Sequence, residues 1–200
     1  MRSMQTLEDK VIARIYGKGR GWAFTPKEFA SLGDARLVGM ALTRLTRKGT
    51  IRRLARGLYD YPREDPSLGL LPPSTDDIAK ALKGRDDSRL QPSGANAANL
   101  LGLSTQVPVR TVYLTDGPSR KVQVGKRQIV LKHTTTRNMA TAGRLSGTVI
   151  QALRWLGERH VNEDTIAILR RQLSKSDKKQ LAKDLRYAPA WIAEIMKKAT

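Results

Sequence analysis

The residues from Asp34 to Gly49 spell a helix with both ends marked. Asp34 is an N-cap residue type, and Gly49 stands where a chain leaves its last helical turn. Between them Val38, Ala41, Leu42 and Leu45 fall on one stripe. Arg36, Met40, Thr43, Arg44 and Arg47 fall largely on the other. Such a helix must dock its apolar stripe and leave a cationic face in water. Whatever this chain folds into is built around that division.

The flanking segments say what the helix docks against. Leu7, Val11, Ile12 and Ile15 recur at helical spacing, so Thr6–Tyr16 reads as an amphipathic helix with Thr6 as N-cap and Asp9 three residues on. Gly17-Lys-Gly-Arg-Gly21 breaks it, and Trp22 and Phe24 follow as buried anchors. Thr25-Pro26 and Glu28 open a short helix to about Ser31, with Gly33 at its end. The marked helix, Ala35 to Lys48, comes next. In Thr50–Tyr61 two short β-prone runs flank Arg56-Gly57 and read as a hairpin.

Three helices followed by a hairpin is the order of a winged helix-turn-helix. A recognition helix needs an apolar face to dock and a face of Arg and Thr to meet base edges and phosphates. A solvated basic surface helix carries the same pattern, and the wing beside it decides between them. Arg52, Arg53 and Arg56 fall within five positions, and Gly57 permits a tight tip. An arginine there can enter the narrow, electronegative minor groove. Residues 1–63 hold 14 Lys and Arg against 5 Asp and Glu, a net of +9.

Over all 200 residues, Lys and Arg number 37 and Asp and Glu 18, a formal +19 with pI near 10.7. A field of that sign draws in polyanions, with nucleic acid first and an anionic membrane surface second. The plainer alternative is a ribosome-associated or merely soluble basic protein. The absence of cysteine excludes disulfides, thiol catalysis and Cys-type zinc sites. It also fits a reducing cytosol. No apolar run nears the roughly 20 residues of a membrane span, and the first ten residues lack a signal peptide's apolar core. A cytoplasmic protein is expected. With 40% hydrophobic and 28% charged residues, the chain can build a real core, either as one large domain or as two small ones.

Residues 62–75 hold four prolines and mark the domain boundary. The expected organisation is a winged helix-turn-helix over 1–63, a Pro-rich linker over 64–75, and an α+β domain over 76–200. Leu68, Leu70 and Leu71 suggest that the linker packs on something. The second domain is helix-rich with a small antiparallel sheet. Ser74 or Thr75 caps a helix through Lys83, helped by Asp76 and Asp77. Residues 93–102 read as a short helix of small residues suited to close packing. Val109–Thr115 and Lys121–His133 are strand-like, with turns at Asp116-Gly117-Pro118 and Val124-Gly125-Lys126. Helices follow over Ala140–Arg159, Glu163–Leu173 and Ser176–Lys198, the last interrupted at Pro189. There is no internal repeat.

Two stretches resemble the AbiEi-type antitoxins, winged helix-turn-helix repressors of bacterial type IV toxin–antitoxin and phage abortive-infection systems. One is Gly49-Thr-Ile-Arg-Arg-Leu-Ala-Arg-Gly-Leu-Tyr59. The other is Pro92-Ser-Gly-Ala-Asn-Ala-Ala-Asn-Leu-Leu-Gly-Leu-Ser-Thr-Gln-Val-Pro108 running into Thr111-Val-Tyr-Leu-Thr-Asp-Gly117. The resemblance implies an N-terminal domain that represses its own operon at operator DNA. It further implies a C-terminal domain that supports repression and opposes a nucleotidyltransferase-type toxin, without requiring a stable complex.

The remaining constellations divide by what their chemistry needs. Arg120, Lys121, Lys126, Arg127, Lys132, Arg137 and Arg144 occupy a run without an acid. They form either a second nucleic-acid surface or an edge strand guarded by charge. Thr134-Thr-Thr136 beside Arg137 and Asn138 can hold a phosphate, or can open the following helix. Glu158, His160, Glu163 and Asp164 form the one acid–histidine cluster, placed where solvated polar residues are ordinary. Trp191, after Arg186-Tyr-Ala-Pro-Ala, either anchors an interface or plugs the second core. No Walker loop, GxSxG or HExxH is present.

The expected function is sequence-specific binding of double-stranded operator DNA, with inverted repeats, by a monomer or dimer. Catalytic, metal and cofactor sites are not expected. DNA contacts are assigned to Lys27, Arg36, Thr43, Arg44, Arg47, Lys48, Arg52, Arg53 and Arg56. Arg44 and Thr43 approach base edges, and the wing arginines meet phosphate or minor groove. The rivals are an RNA-binding or ribosome-associated protein without a toxin partner, and an enzyme acting on nucleic acid or nucleotides.

Overall fold

The computed structural model describes residues 6–84, 88–106 and 108–200. The fold is α+β and divides into two compact units, residues 1–87 with 122–125, and residues 88–121 with 126–200. Among the described residues no helix is long and apolar enough to cross a membrane.

In the first unit, α1 (Leu7–Lys18) starts on a capping box. The Thr6 hydroxyl accepts from the Asp9 amide, and the Asp9 carboxylate accepts from the Thr6 amide. A short strand β1 (Ala23–Phe24) follows, then a 3-10 turn (Pro26–Phe29) where the sequence suggests a longer helix. Thr25 precedes that turn, but its hydroxyl is buried and makes no cap bond. Helix α2 (Ala35–Arg47) is capped by Asp34, whose carboxylate accepts from the amides of Arg36 and Leu37. Strands β2 (Arg52–Ala55) and β3 (Leu58–Asp60) form the expected hairpin, and Gly57 at φ +71° makes its turn. The sheet order is β1-β3-β2, all antiparallel, so β3 is flanked on both sides.

The core of this unit comes from α1, α2 and the sheet. Val11, Ile15, Phe24, Phe29, Val38, Leu42, Leu45 and Ile51 are buried at 1% exposure or less. Each such side chain contributes roughly 1.5–3 kcal/mol. Phe24 stacks on Trp22 at 4.6 Å and meets Phe29 edge-on at 5.4 Å. Arg14 ties α1 to the 3-10 turn by donating to the Glu28 carbonyl at 2.7 Å.

The Pro-rich segment has regular structure of its own. It forms a second hairpin, β4 (Arg63–Asp65) with β5 (Gly69–Leu71), and leads into α3 (Thr75–Lys83), capped by Ser74. Asp65 closes the hairpin by accepting from Ser67 and Leu68, and these bonds, the Ser67 hydroxyl foremost, hold its carboxyl below the ordinary range. The first compact unit therefore runs through α3, where the sequence reading ends it near residue 63.

The second unit holds β6 (Leu90–Ser93), α4 (Ala95–Leu100), β7 (Arg110–Thr115) and β9 (Arg127–His133), with strand order β6-β7-β9, and β8 (Arg120–Val124) lies where the chain divides between the units. Pro92 sits in the edge strand β6, where a missing amide is tolerated. The sheet is mixed, not purely antiparallel as the sequence suggests. β6 pairs with β7 antiparallel, while β7 pairs with β9 parallel, Arg110 opposite Gln128 through Thr115 opposite His133. Helices α5 (Leu145–Leu156), α6 (Glu163–Gln172), α7 (Lys175–Asp184) and α8 (Ala190–Ala199) complete the unit, with Pro189 dividing the last two. Ala97 and Ala98 are fully buried in a core with Val149, Leu153, Leu169, Ile192 and Met196. The small residues of α4 thus serve close packing. Trp191 lies half-buried against the same core. Gly147 is required where α5 passes close to the Gln91 side chain and the Thr141 carbonyl, because a Cβ there would collide with both.

Candidate nucleic-acid interface

Helix α2 divides as its sequence predicts. Val38, Ala41, Leu42 and Leu45 are buried, and Arg36, Met40, Thr43, Arg44, Arg47 and Lys48 are exposed. No acid occurs between residues 35 and 47. The Thr43 hydroxyl donates to the Gly39 carbonyl at 2.8 Å, so its remaining capacity toward a ligand is to accept. Lys27 is exposed on the 3-10 turn preceding α2.

Arg44 and Lys48 are not unpartnered. Glu8 of α1 accepts from Lys48 Nζ at 2.6 Å and lies 3.6 Å from the Arg44 guanidinium. The Lys48 hydrogen bond is the main reason that the Glu8 carboxyl sits below its ordinary value. Glu8 thereby orients two of the predicted DNA contacts and places a negative charge beside them. Sequence reasoning missed it, because 36 and 40 residues separate it from its partners.

The wing splits its arginines. Arg53 and Arg56 are exposed. Arg52 is instead engaged within its own unit. Its guanidinium holds both oxygens of Asp60, at 3.1 and 2.6 Å, and donates to the carbonyls of Leu70 and Leu71 at 3.5 and 2.7 Å. Asp60 is wholly buried because β3 is the central strand, and a buried carboxylate needs a paired cation.

The acid-free run of the second unit is also divided. Lys121, Lys126, Arg127, Lys132 and Arg137 are exposed, and Arg120 is half-buried. Arg127 and Lys132 are five residues apart on one strand, so pleating sends them to opposite faces of β9. Arg144 is also exposed, but its guanidinium is paired with the buried Asp184, which it meets at 2.7 Å. Ser146 and Gln180 donate to the same carboxylate. The run is therefore not one cationic face. Thr134 accepts from the Asn138 amide within the turn that leads toward α5. At the acid–histidine cluster, the His160 ring contacts the Leu156 carbonyl at 2.9 Å. Among the described residues no three His, Asp or Glu side chains converge as metal ligands.

The interface thus narrows to the outward face of α2, Lys27 and the wing pair Arg53 and Arg56, with Glu8 beside Arg44 and Lys48. No curated protein matches the chain. A family model matches residues 10–181, which span both units, and the chain belongs to that family, described as a family of unknown function (DUF6088).

Proposed function

We propose that the chain is a sequence-specific, duplex-DNA-binding antitoxin of the cytoplasm. In this reading it represses its own operon and counteracts a nucleotidyltransferase-type toxin. The observation that carries it is the outward face of α2. Arg36, Met40, Thr43 and Arg47 stand exposed on a helix docked by its opposite face, in an element order that ends in a wing bearing Arg53 and Arg56. A helix of this width enters the major groove of B-DNA, while the deep, narrow major groove of RNA does not admit it. Base edges are read by Arg44, with Thr43 accepting from exocyclic amines. Arg47, Lys27 and the wing pair meet phosphates and the minor groove. The antitoxin part is supported by the resemblance of residues 49–59 and 92–117 to AbiEi-type antitoxins. The operator is expected to hold inverted repeats, read by a monomer on each half or by a dimer.

The test is a reporter driven by the region upstream of the chain's own gene, with the chain supplied in trans. Expected are repression, its loss in an Arg44→Ala, Arg47→Ala double variant, and restored growth when the chain is expressed with a nucleotidyltransferase encoded beside it. A reporter indifferent to the chain would contradict autorepression. A neighbouring gene of another class, or one whose toxicity the chain does not relieve, would contradict the antitoxin role.

A further inference from the structure

Two apolar side chains stand among the cations of α2. Leu37 is 52% exposed and Met40 is 45% exposed. At 100° per residue Met40 falls at the middle of the outward face, ringed by Arg36, Arg44 and Arg47, with Leu37 one turn before it. Their spacing of three brings the Cβ atoms to about 5–6 Å. With Leu7 and Ala41 they line a groove of about 250 Å³ that Glu8 and Arg44 also border. A helix that meets only phosphates has no use for an exposed Leu–Met pair beside its cations, where water contact is unfavourable.

We infer that Leu37 and Met40 read thymine C5-methyl groups, so that the preferred duplex carries thymine where the middle of α2 meets the major groove. This rests on the DNA-binding reading of α2. The thymine methyl is the one apolar group that an unmodified base pair presents in the major groove, and apolar side chains recognise it by contact. Charge selects this occupant over an apolar protein face. A partner covering Met40 must also answer Arg36 and Arg47, and the helix itself offers no acid to them. A duplex brings phosphates to the cations and methyls to the apolar pair in one docking.

The experiment uses the full chain and a duplex enriched from a randomised DNA pool. Each thymine of that duplex is replaced in turn by uracil, which removes the methyl and leaves pairing and phosphates unchanged. Wild type should lose about fourfold in affinity at one or two positions, the contribution of one buried methyl-sized group each. Leu37→Ala and Met40→Ala keep good helix formers on an exposed face. They should bind the thymine duplex more weakly and should no longer distinguish uracil at those positions. Uracil tolerated everywhere by wild type would overturn the inference while leaving DNA binding intact. Variants that dissociate a dimer with no uracil effect would overturn it in favour of self-association. If no duplex is enriched at all, the inference falls together with the DNA-binding reading.

Discussion

Among the described residues, each unit of this protein contains one buried aspartate held by one arginine, and the two are satisfied differently. Asp60 is wholly buried in the central strand β3, and among the described residues Arg52 supplies its ion pair, through two hydrogen bonds. Asp184 is 2% exposed, and three side chains share it: Arg144, Ser146 and Gln180. Arg52 is also the more enclosed cation, at 29% exposure against 44% for Arg144. A count of arginines therefore overstates the unpaired charge offered to a polyanion, because each unit commits one arginine of its basic run to an ion pair with its own interior. The first unit still leaves cations together on one helix face and one turn, while the second distributes them over opposite faces of a strand.

The two aspartates should differ most in stability. Arg52→Ala strands a buried carboxylate and should cost about 3–5 kcal/mol. Arg144→Ala leaves two donors on Asp184 and opens a solvated site, so about 1–2 kcal/mol is expected. Denaturant unfolding followed separately in each unit measures both. Equal losses would show that the two aspartates are not satisfied differently.

Next in size is base reading. Arg44→Ala should cost about 1–3 kcal/mol on an enriched duplex and much less on random DNA, while Arg47→Ala weakens both alike. A titration at one fixed salt decides, and equal losses for Arg44→Ala would make it a phosphate contact. Arg44→Lys keeps the charge but removes the planar fork, so it should not restore discrimination.

Then come the two basic surfaces themselves. Arg53→Ala with Arg56→Ala should flatten the slope of log K against log salt by about 1 for each phosphate no longer neutralised. Lys126→Ala with Lys132→Ala removes the same charge from the second unit and should flatten it less, because that unit presents no single cationic face. Equal slopes for the two pairs would restore a second DNA surface to the protein.

The smallest effect belongs to Glu8. Glu8→Gln releases Arg44 and Lys48 and removes a negative charge beside them, so DNA affinity should rise by a few fold at low salt and less at high salt. The pH dependence has a fixed sign. The Glu8 carboxyl is lower in the folded chain than its ordinary 4.5. Its pairing therefore stabilises fully above 4.5 and disappears as the pH falls through the lower folded value. The stability difference between wild type and Glu8→Gln should shrink across that window.

The elements with local signals were legible in the sequence. The Thr6–Asp9 box, the Asp34 cap, the stripe of α2 and the Arg56-Gly57 turn each act over a few residues, and each is where its residues place it. The fate of Arg52 was not legible, for a specific reason. Counting strand partners back from a two-residue turn sets Arg53 opposite Asp60. An irregularity between Arg53 and Ala55 moves the register by one and brings Arg52 there. The β4–β5 hairpin did carry a signal, Asp65-Pro-Ser-Leu-Gly69, but its prolines read as a linker. The parallel pairing of β7 with β9 is non-local, and strand propensity is silent on it. Leu37 escaped because helix periodicity places it at the edge of the apolar stripe, and only its exposure separates it from the core.

Discrimination by the intact protein separates base reading from simple charge attraction. At one fixed salt, wild type is titrated against an enriched DNA duplex, a scrambled duplex of the same composition, and an RNA duplex of the same sequence. It should prefer the enriched DNA over the scrambled by roughly a thousandfold or more, and over the RNA as well. Affinities for all three within about tenfold of one another would contradict sequence-specific DNA binding, leaving a basic protein that binds polyanions by charge alone.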